Sequence, residues 1–235
     1  TSDQVIGKDV AAVFNFLKFN YQLPKYEMLL VSPHSSRPGL VARIDREIEN
    51  ARLGYRAMMT LKCNNLVDRQ LTLKLYEASQ AGVKVRLVVR GMCTLLPGIK
   101  GVSENIKAIS IIDRYLEHSR VYVFHNRGQP EYLLGSADLM TRNIDYRVEV
   151  LCPIKDPAVQ QQLQDVLDQQ WQDNVKARVL DSKQNNHLLP RAKATPVLQS
   201  QEMIHRYFAT GKKPRMPRSL MRQASKRRRH ATRKD

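Results

Sequence analysis

Apolar and polar positions follow two rhythms along this chain, one helical and one of period two, and the order in which they alternate sketches an α/β architecture. Val10, Val13, Phe14, Leu17 and Tyr21 recur at helical spacing and stop before Pro24, so the first segment reads as an amphipathic helix with no strand ahead of it. Residues 28–31 form a short buried strand ended by Ser32-Pro33. Ser36 suits the N-cap of a second helix whose inward face is Leu40, Val41, Ile44, Ile48 and Ala51, and Gly54 falls at the C′ position, where a positive φ is cheap. Residues 56–62 are the next strand. Asp68 caps a third helix with Leu71, Leu75 and Ala78 inward, Gly82 closes it, and residues 83–89 return as a strand ending at Arg90-Gly91.

Strands separated by helices need crossover connections, which predicts a mostly parallel or mixed sheet flanked by helices. Ligand sites in such sheets lie beyond the carboxyl ends of strands, where Arg90 sits. Residues 92–104 hold Pro97, Gly98 and Gly101 and read as a loop; strands are expected at 106–112, 121–124, 132–134 and 148–151. Asp156-Pro157 starts a helix with Val159, Leu163, Val166, Leu167, Trp171 and Val175 on one face, which makes Trp171 a core residue. Residues 182–196 read as a surface excursion and 197–208 as a last helix.

Composition refines this picture. At 42 % hydrophobic, the 235 residues suit a globular core, and no run is long and apolar enough to span a bilayer. A soluble, cytoplasmic protein is expected. Cys63, Cys93 and Cys152 are widely spaced in apolar surroundings, which favours buried thiols over disulfides or a metal site. The net charge of +17 is uneven: residues 212–235 hold 11 Lys or Arg against Asp235, hence +10, which leaves +7 for the rest. Residues 211–235 are expected to be a disordered basic tail, a binding element for polyanions or anionic lipid, or merely solvated. The chain starts with threonine and is expected to be a piece of a longer protein.

Chemistry concentrates in residues 114–143. His118 and Arg120 lie two residues apart ahead of a strand, and a second strand returns to Gly135-Ser136-Ala137-Asp138. An imidazole can exchange a proton or attack phosphorus, and an arginine fork matches phosphate oxygens. From spacing alone His118 reads first as an ordinary half-buried histidine and only second as a catalytic one. His34, His125, His187, His205 and His230 lack ligand-like neighbours, and no carboxylate cluster marks a metal site.

His-x-Arg, a strand and Gly-Ser-Ala-Asp resemble the His-x-Lys and Gly-Ser-x-Asn elements of the phospholipase D superfamily, with Arg120 in place of lysine and Asp138 in place of asparagine. A collinear series is more specific. Leu29-Leu30-Val31-Ser32-Pro33, Asn64-Asn65-Leu66-Val67-Asp68, Val88-Val89-Arg90-Gly91-Met92-Cys93, Arg114-Tyr115-Leu116-Glu117-His118 and Ser136-Ala137-Asp138 with Met140-Thr141-Arg142-Asn143 are together similar to the C-terminal catalytic half of bacterial polyphosphate kinases of the first type. The resemblance implies a phospholipase-D-like domain over residues 27–210, with residues 1–26 a connecting helix or the end of a preceding domain. It implies reversible transfer of the γ-phosphoryl of ATP to polyphosphate through a phosphohistidine upstream of this chain, with Mg2+ and ADP, and a homo-oligomer in the full-length protein. It makes His118 the catalytic partner histidine and Arg90 a phosphate ligand. Arg142 and Arg147 flank the same loop and strand and, with Arg114 and Arg120, read by position as second-rank ATP- or phosphate-binding candidates or else as surface salt bridges. A phospholipase-D-type phosphodiesterase and a non-catalytic polyanion-binding module are the alternatives.

Overall fold

The computed structural model describes residues 1–191 and 195–211. In chain order they form α1 (Gln4–Lys18), β1 (Leu30–Val31), α2 (Ser36–Arg52), β2 (Met58–Cys63), α3 (Arg69–Gln80), β3 (Lys84–Val89), β4 (Ile106–Ile111), β5 (Arg120–Phe124), β6 (Glu131–Gly135), a π-helical turn (Arg142–Tyr146), β7 (Val150–Ile154), α4 (Pro157–Trp171), β8 (Ala177–Leu180) and α5 (Ser200–Thr210). The expected disorder of the basic tail falls, from residue 212 on, outside the described residues. No described helix is long and apolar enough to cross a membrane.

The strands make one sheet in the order β1-β7-β6-β5-β2-β3-β4-β8. It is mixed, and parallel pairing is confined to β2–β3 and β3–β4. The crossover reading expects mostly parallel or mixed pairing; β1, though followed by a helix, pairs antiparallel with β7 at the far edge. The β5–β6 hairpin and β7 fill the space between β1 and β2, because a hairpin followed by a third antiparallel strand builds a sheet without crossovers.

Period-two alternation sorts the two faces. Tyr122 and Phe124 of β5 join α2 (Leu40, Ile44, Ile48) and α3 (Leu71, Leu75, Ala78), while Val121 and Val123 pack with Leu163 and Leu167 of α4 on the other side. Both aspartate caps form as expected: Asp68 accepts from the Leu71 N–H at 2.9 Å, and Asp156 accepts from those of Ala158 and Val159. Ser36 is not a cap. Ser35 precedes the helix, and its hydroxyl accepts from the Val31 N–H instead. Helix α4 stops at Trp171, four residues short of the expected Val175, since Asp173 collects the N–H groups of Val175, Lys176 and Ala177 and so starts a turn.

The face expected for α1 is rotated. Val13 is buried, but Val10, Phe14, Leu17 and Tyr21 are exposed, and the inward residues are Ile6, Asp9, Val13 and Phe16. Asp9 explains the rotation. Its carboxylate accepts from the backbone N–H groups of Glu27, Met28 and Leu29 at 2.7 to 3.1 Å, and this draws a charged residue, only 5 % exposed, against the chain entering β1. Burial alone would raise its pKa; the three amides outweigh burial and hold it below the usual carboxylate value.

Candidate functional site

Strand direction gathers the candidate residues at one end of the sheet. Lys62 pairs in register with Val121, Arg120 with Gly135 and Gly135 with Leu151. The segments leaving β2, β3, β4 and β6 and those entering β5 and β7 therefore meet there. Arg90, the 112–119 segment with His118, Arg120 and Asp138 all stand at this end. Gly135 permits it: a Cβ at this position would fall 2.9 Å from the Leu151 Cα and even nearer the Val150 carbonyl, so only glycine lets β6 bend this close to β7.

The two departures from the phospholipase D pattern turn out to be partners. The Arg120 guanidinium lies on the Asp138 carboxylate, with Nε donating to Oδ1 at 3.1 Å and Nη2 reaching Oδ2 at 3.4 Å. Arg120 Nη1 donates to the His118 carbonyl at 2.8 Å and meets its Nδ1 at 3.0 Å. Arginine is always a donor, so this contact makes Nδ1 the acceptor and leaves the proton on Nε2, on a solvent-exposed ring. Asp138, 4 % exposed, also accepts from the Asn64 N–H at 2.8 Å and from the Asn64 and Asn65 side-chain amides. Burial pushes its pKa up, but Arg120 and the Asn64 and Asn65 donors prevail and hold it below the ordinary value. Arg120 is thus committed to orienting His118 and to neutralising Asp138, and little of its fork is left for a phosphate.

Arg90 is different. Its backbone is fixed by the Ser110 hydroxyl on its carbonyl, yet its side-chain Nε is buried with no partner among the described residues. Arg90 shares a narrow crevice with Lys62, Glu117 and Gln170. Lys62, at 2 % exposure, ion-pairs with Glu117 at 3.2 Å. Burial lowers its pKa, the Glu117 charge restores part of the loss, and the nearby Arg90 charge adds to the lowering. Arg142 and Arg147 stand exposed at the two ends of the π-helical turn between β6 and β7, and their guanidinium groups make no ion pair among the described residues.

Lys62 had a visible signal, a single charge within the apolar run of β2. Gln170 near the end of α4 and Gln201 in the first turn of α5 had none, because neutral amides on helices look the same whether they face solvent or a site. The thiols are free, with Cys63 buried and Cys93 and Cys152 half-buried; burial pushes all three up, Cys93 to about 11. Among the described residues no group of three or more His, Cys, Asp or Glu side chains can hold a metal ion. The described residues thus offer no all-protein cage for Mg2+, an ion that is usually held by one or two carboxylates together with substrate phosphates.

Residues 29–201 match the family described as polyphosphate kinase C-terminal domain 2. A polyphosphate kinase of Vibrio parahaemolyticus is 47 % identical over 208 residues, covering 88 % of this chain and 30 % of that protein. One of Salmonella typhimurium is 49 % identical over 214 residues, covering 91 % and 31 % respectively. The crystal structure of polyphosphate kinase from Porphyromonas gingivalis superposes with a TM-score of 0.86 at 37 % identity, over 90 % of this chain and 32 % of that one. The chain thus spans less than a third of the length of these relatives. It belongs to the polyphosphate kinase family and corresponds to the C-terminal domain 2 of that family.

Proposed function

We propose that this chain is the C-terminal catalytic part of a polyphosphate kinase, an enzyme that reversibly moves the γ-phosphoryl of ATP to the end of a polyphosphate chain through a phosphohistidine on a preceding segment of the same polypeptide. The observation that carries this reading is the presence at one sheet end of both an oriented, exposed His118 and an Arg90 whose buried Nε has no partner among the described residues. Phosphoryl transfer needs charge neutralisation and in-line placement more than covalent help. Arg90 supplies the fixed positive charge for the transferring or adjacent phosphate. His118, with its proton on Nε2, donates a hydrogen bond to a phosphate oxygen as negative charge develops there, in either direction of transfer, and keeps its proton throughout. Arg142 and Arg147, exposed at the two ends of the turn between β6 and β7, act as secondary ligands of the polyanionic chain. The nucleotide brings its own Mg2+.

The phosphodiesterase alternative loses weight because Arg120 and Asp138 neutralise each other, where that chemistry would want a free cation and a neutral amide on the phosphate. The test is ATP-dependent polyphosphate synthesis, and its reversal with ADP, by the chain joined to its preceding domains. His118→Ala should lower kcat by roughly 10² to 10³-fold, the usual worth of one positioned donor to a developing charge. Arg90→Ala should also lower kcat, and neither should shift thermal stability by more than about 1 kcal/mol. Normal turnover in either variant would refute the role given to that residue. The 235-residue chain alone should not become labelled by γ-labelled ATP.

A further inference from the structure

His118 sits in the 112–119 segment, which has no regular structure of its own. Its position must come from elsewhere, and the contacts trace back to the C-terminal helix. Gln201, in the first turn of α5, grips the segment at three points. Its Oε1 accepts from the Tyr115 N–H at 2.9 Å, and its Nε2 donates to the Tyr115 carbonyl at 2.8 Å and to Glu117 Oε1 at 3.1 Å. Gln199 adds a fourth bond, from its Nε2 to Asp113 at 2.7 Å. Glu117, the residue before His118, is the hub: its other oxygen takes the Lys62 ammonium at 3.2 Å and the Gln170 amide at 2.7 Å.

The anchor behind Gln201 is itself fixed. Asp173, fully buried, accepts from the Ser200 N–H at 2.7 Å, and Asn174 binds the strand-like approach to α5 by bonding Leu198 and Pro196. A rigid path therefore runs from the α4–β8 turn through Gln201 to Glu117 and His118. Side-chain amides suit this work, since one group both donates to and accepts from a backbone peptide while leaving the loop's charge unchanged.

We propose that Gln201 is a positioning residue for His118, and that α5 serves the reaction by holding the 112–119 segment through Tyr115 and Glu117. The proposal rests on the kinase reading for its effect on rate, but not for the clamp itself. A misplacement of about 1 Å far from the chemistry is enough to cost up to roughly 10²-fold in rate.

The experiment has two arms. In the 235-residue chain, amide hydrogen exchange at Tyr115 is compared for the wild type, Gln201→Ala and Gln201→Glu, with Glu202→Ala, exposed on the same turn, as control. Exchange should quicken in both Gln201 variants and stay unchanged in the control. In the chain joined to its preceding domains, Gln201→Ala should lower kcat roughly 10 to 10²-fold while KM for ATP moves by less than about twofold. Gln201→Glu should be worse, because its carboxylate faces Glu117. Unchanged exchange at Tyr115 would refute the clamp. Faster exchange with normal kcat, or an equal loss in the Glu202→Ala control, would refute the positioning role. If exchange quickens but the unmutated longer enzyme makes no polyphosphate from ATP, the kinase reading fails and the effect on rate with it, while the clamp stands.

Discussion

At the scale of single residues, the ion pair between Arg120 and Asp138 decides what kind of site this is. Both side chains are largely withdrawn from water, at 12 % and 6 % exposure, so each depends on the other for charge balance. Removing one partner leaves an uncompensated buried charge. Asp138→Ala should therefore destabilise by roughly 3 to 5 kcal/mol, since it also strips the acceptor from the Asn64 N–H. Arg120→Met, which leaves a carboxylate still bonded by Asn64 and Asn65, should cost less. Chemical denaturation of the two variants and of the double variant measures the coupling; additive effects would mean that the pair is incidental. In sequence these residues were legible as phosphate-site candidates, each read separately. Their pairing was not, because a hydrogen bond between residues 18 apart depends on the β5–β6 register.

At the scale of elements, capping chemistry and turn glycines were the most legible features, since they act within a few residues of sequence. Asp68, Asp156, Gly54 and Gly82 all stand where local reasoning places them. The face of α1 was misread because periodicity alone admits two overlapping stripes, and the choice between them lies with Asp9, whose three amide partners are some 20 residues away. Stability distinguishes the two faces. Asp9→Ala leaves those N–H groups without their acceptor and should cost about 2 to 3 kcal/mol, whereas Phe14→Ser, on the exposed stripe, should change stability by no more than about 0.5 kcal/mol in this chain. Thermal unfolding of the two variants checks the assignment, and the reverse order would restore the other face.

Asp68 joins elements rather than capping one alone. Besides the Leu71 N–H, it takes the Arg37 guanidinium of α2 and the Thr141 hydroxyl, and Arg37 also binds Asp145 in the π-helical turn. Burial by itself would raise the Asp68 pKa; Arg37, the Leu71 amide and Thr141 more than reverse this and bring it to about 2. The folded carboxylate then stays ionised where the unfolded one has begun to protonate, so the unfolded state binds more protons in that interval. The contribution, on the order of 2 kcal/mol, is complete above about pH 4 and is lost as pH falls towards 2. Asp68→Asn should flatten the stability profile in that window and leave its shape at neutral pH unaltered; an unchanged acid limb would show that the carboxylate is not the titrating group.

On the scale of the whole molecule, the order of strands was the least legible property. An α/β class follows from alternating rhythms, but β1 and β8 find their edges only through antiparallel partners more than a hundred and some seventy residues away, respectively. The distribution of charge, by contrast, is written in the sequence, and it bears on the proposed binding of polyanions. With +10 of the +17 in residues 212–235, the chain concentrates its field beyond the residues that form the candidate site. A polyanion drawn to that segment releases counterions, and its affinity should fall steeply with salt. The prediction is a shallower dependence without it: deleting residues 212–235 should weaken binding of long-chain polyphosphate at about 50 mM salt and reduce the slope of log affinity against log salt, by approximately 0.7 for each phosphate no longer neutralised. Substitution of Arg90, at the site itself, should reduce the slope by no more than about one phosphate's share. Equal slopes for the intact and shortened chains would assign polyphosphate capture to the folded domain and leave the basic segment without a part in it.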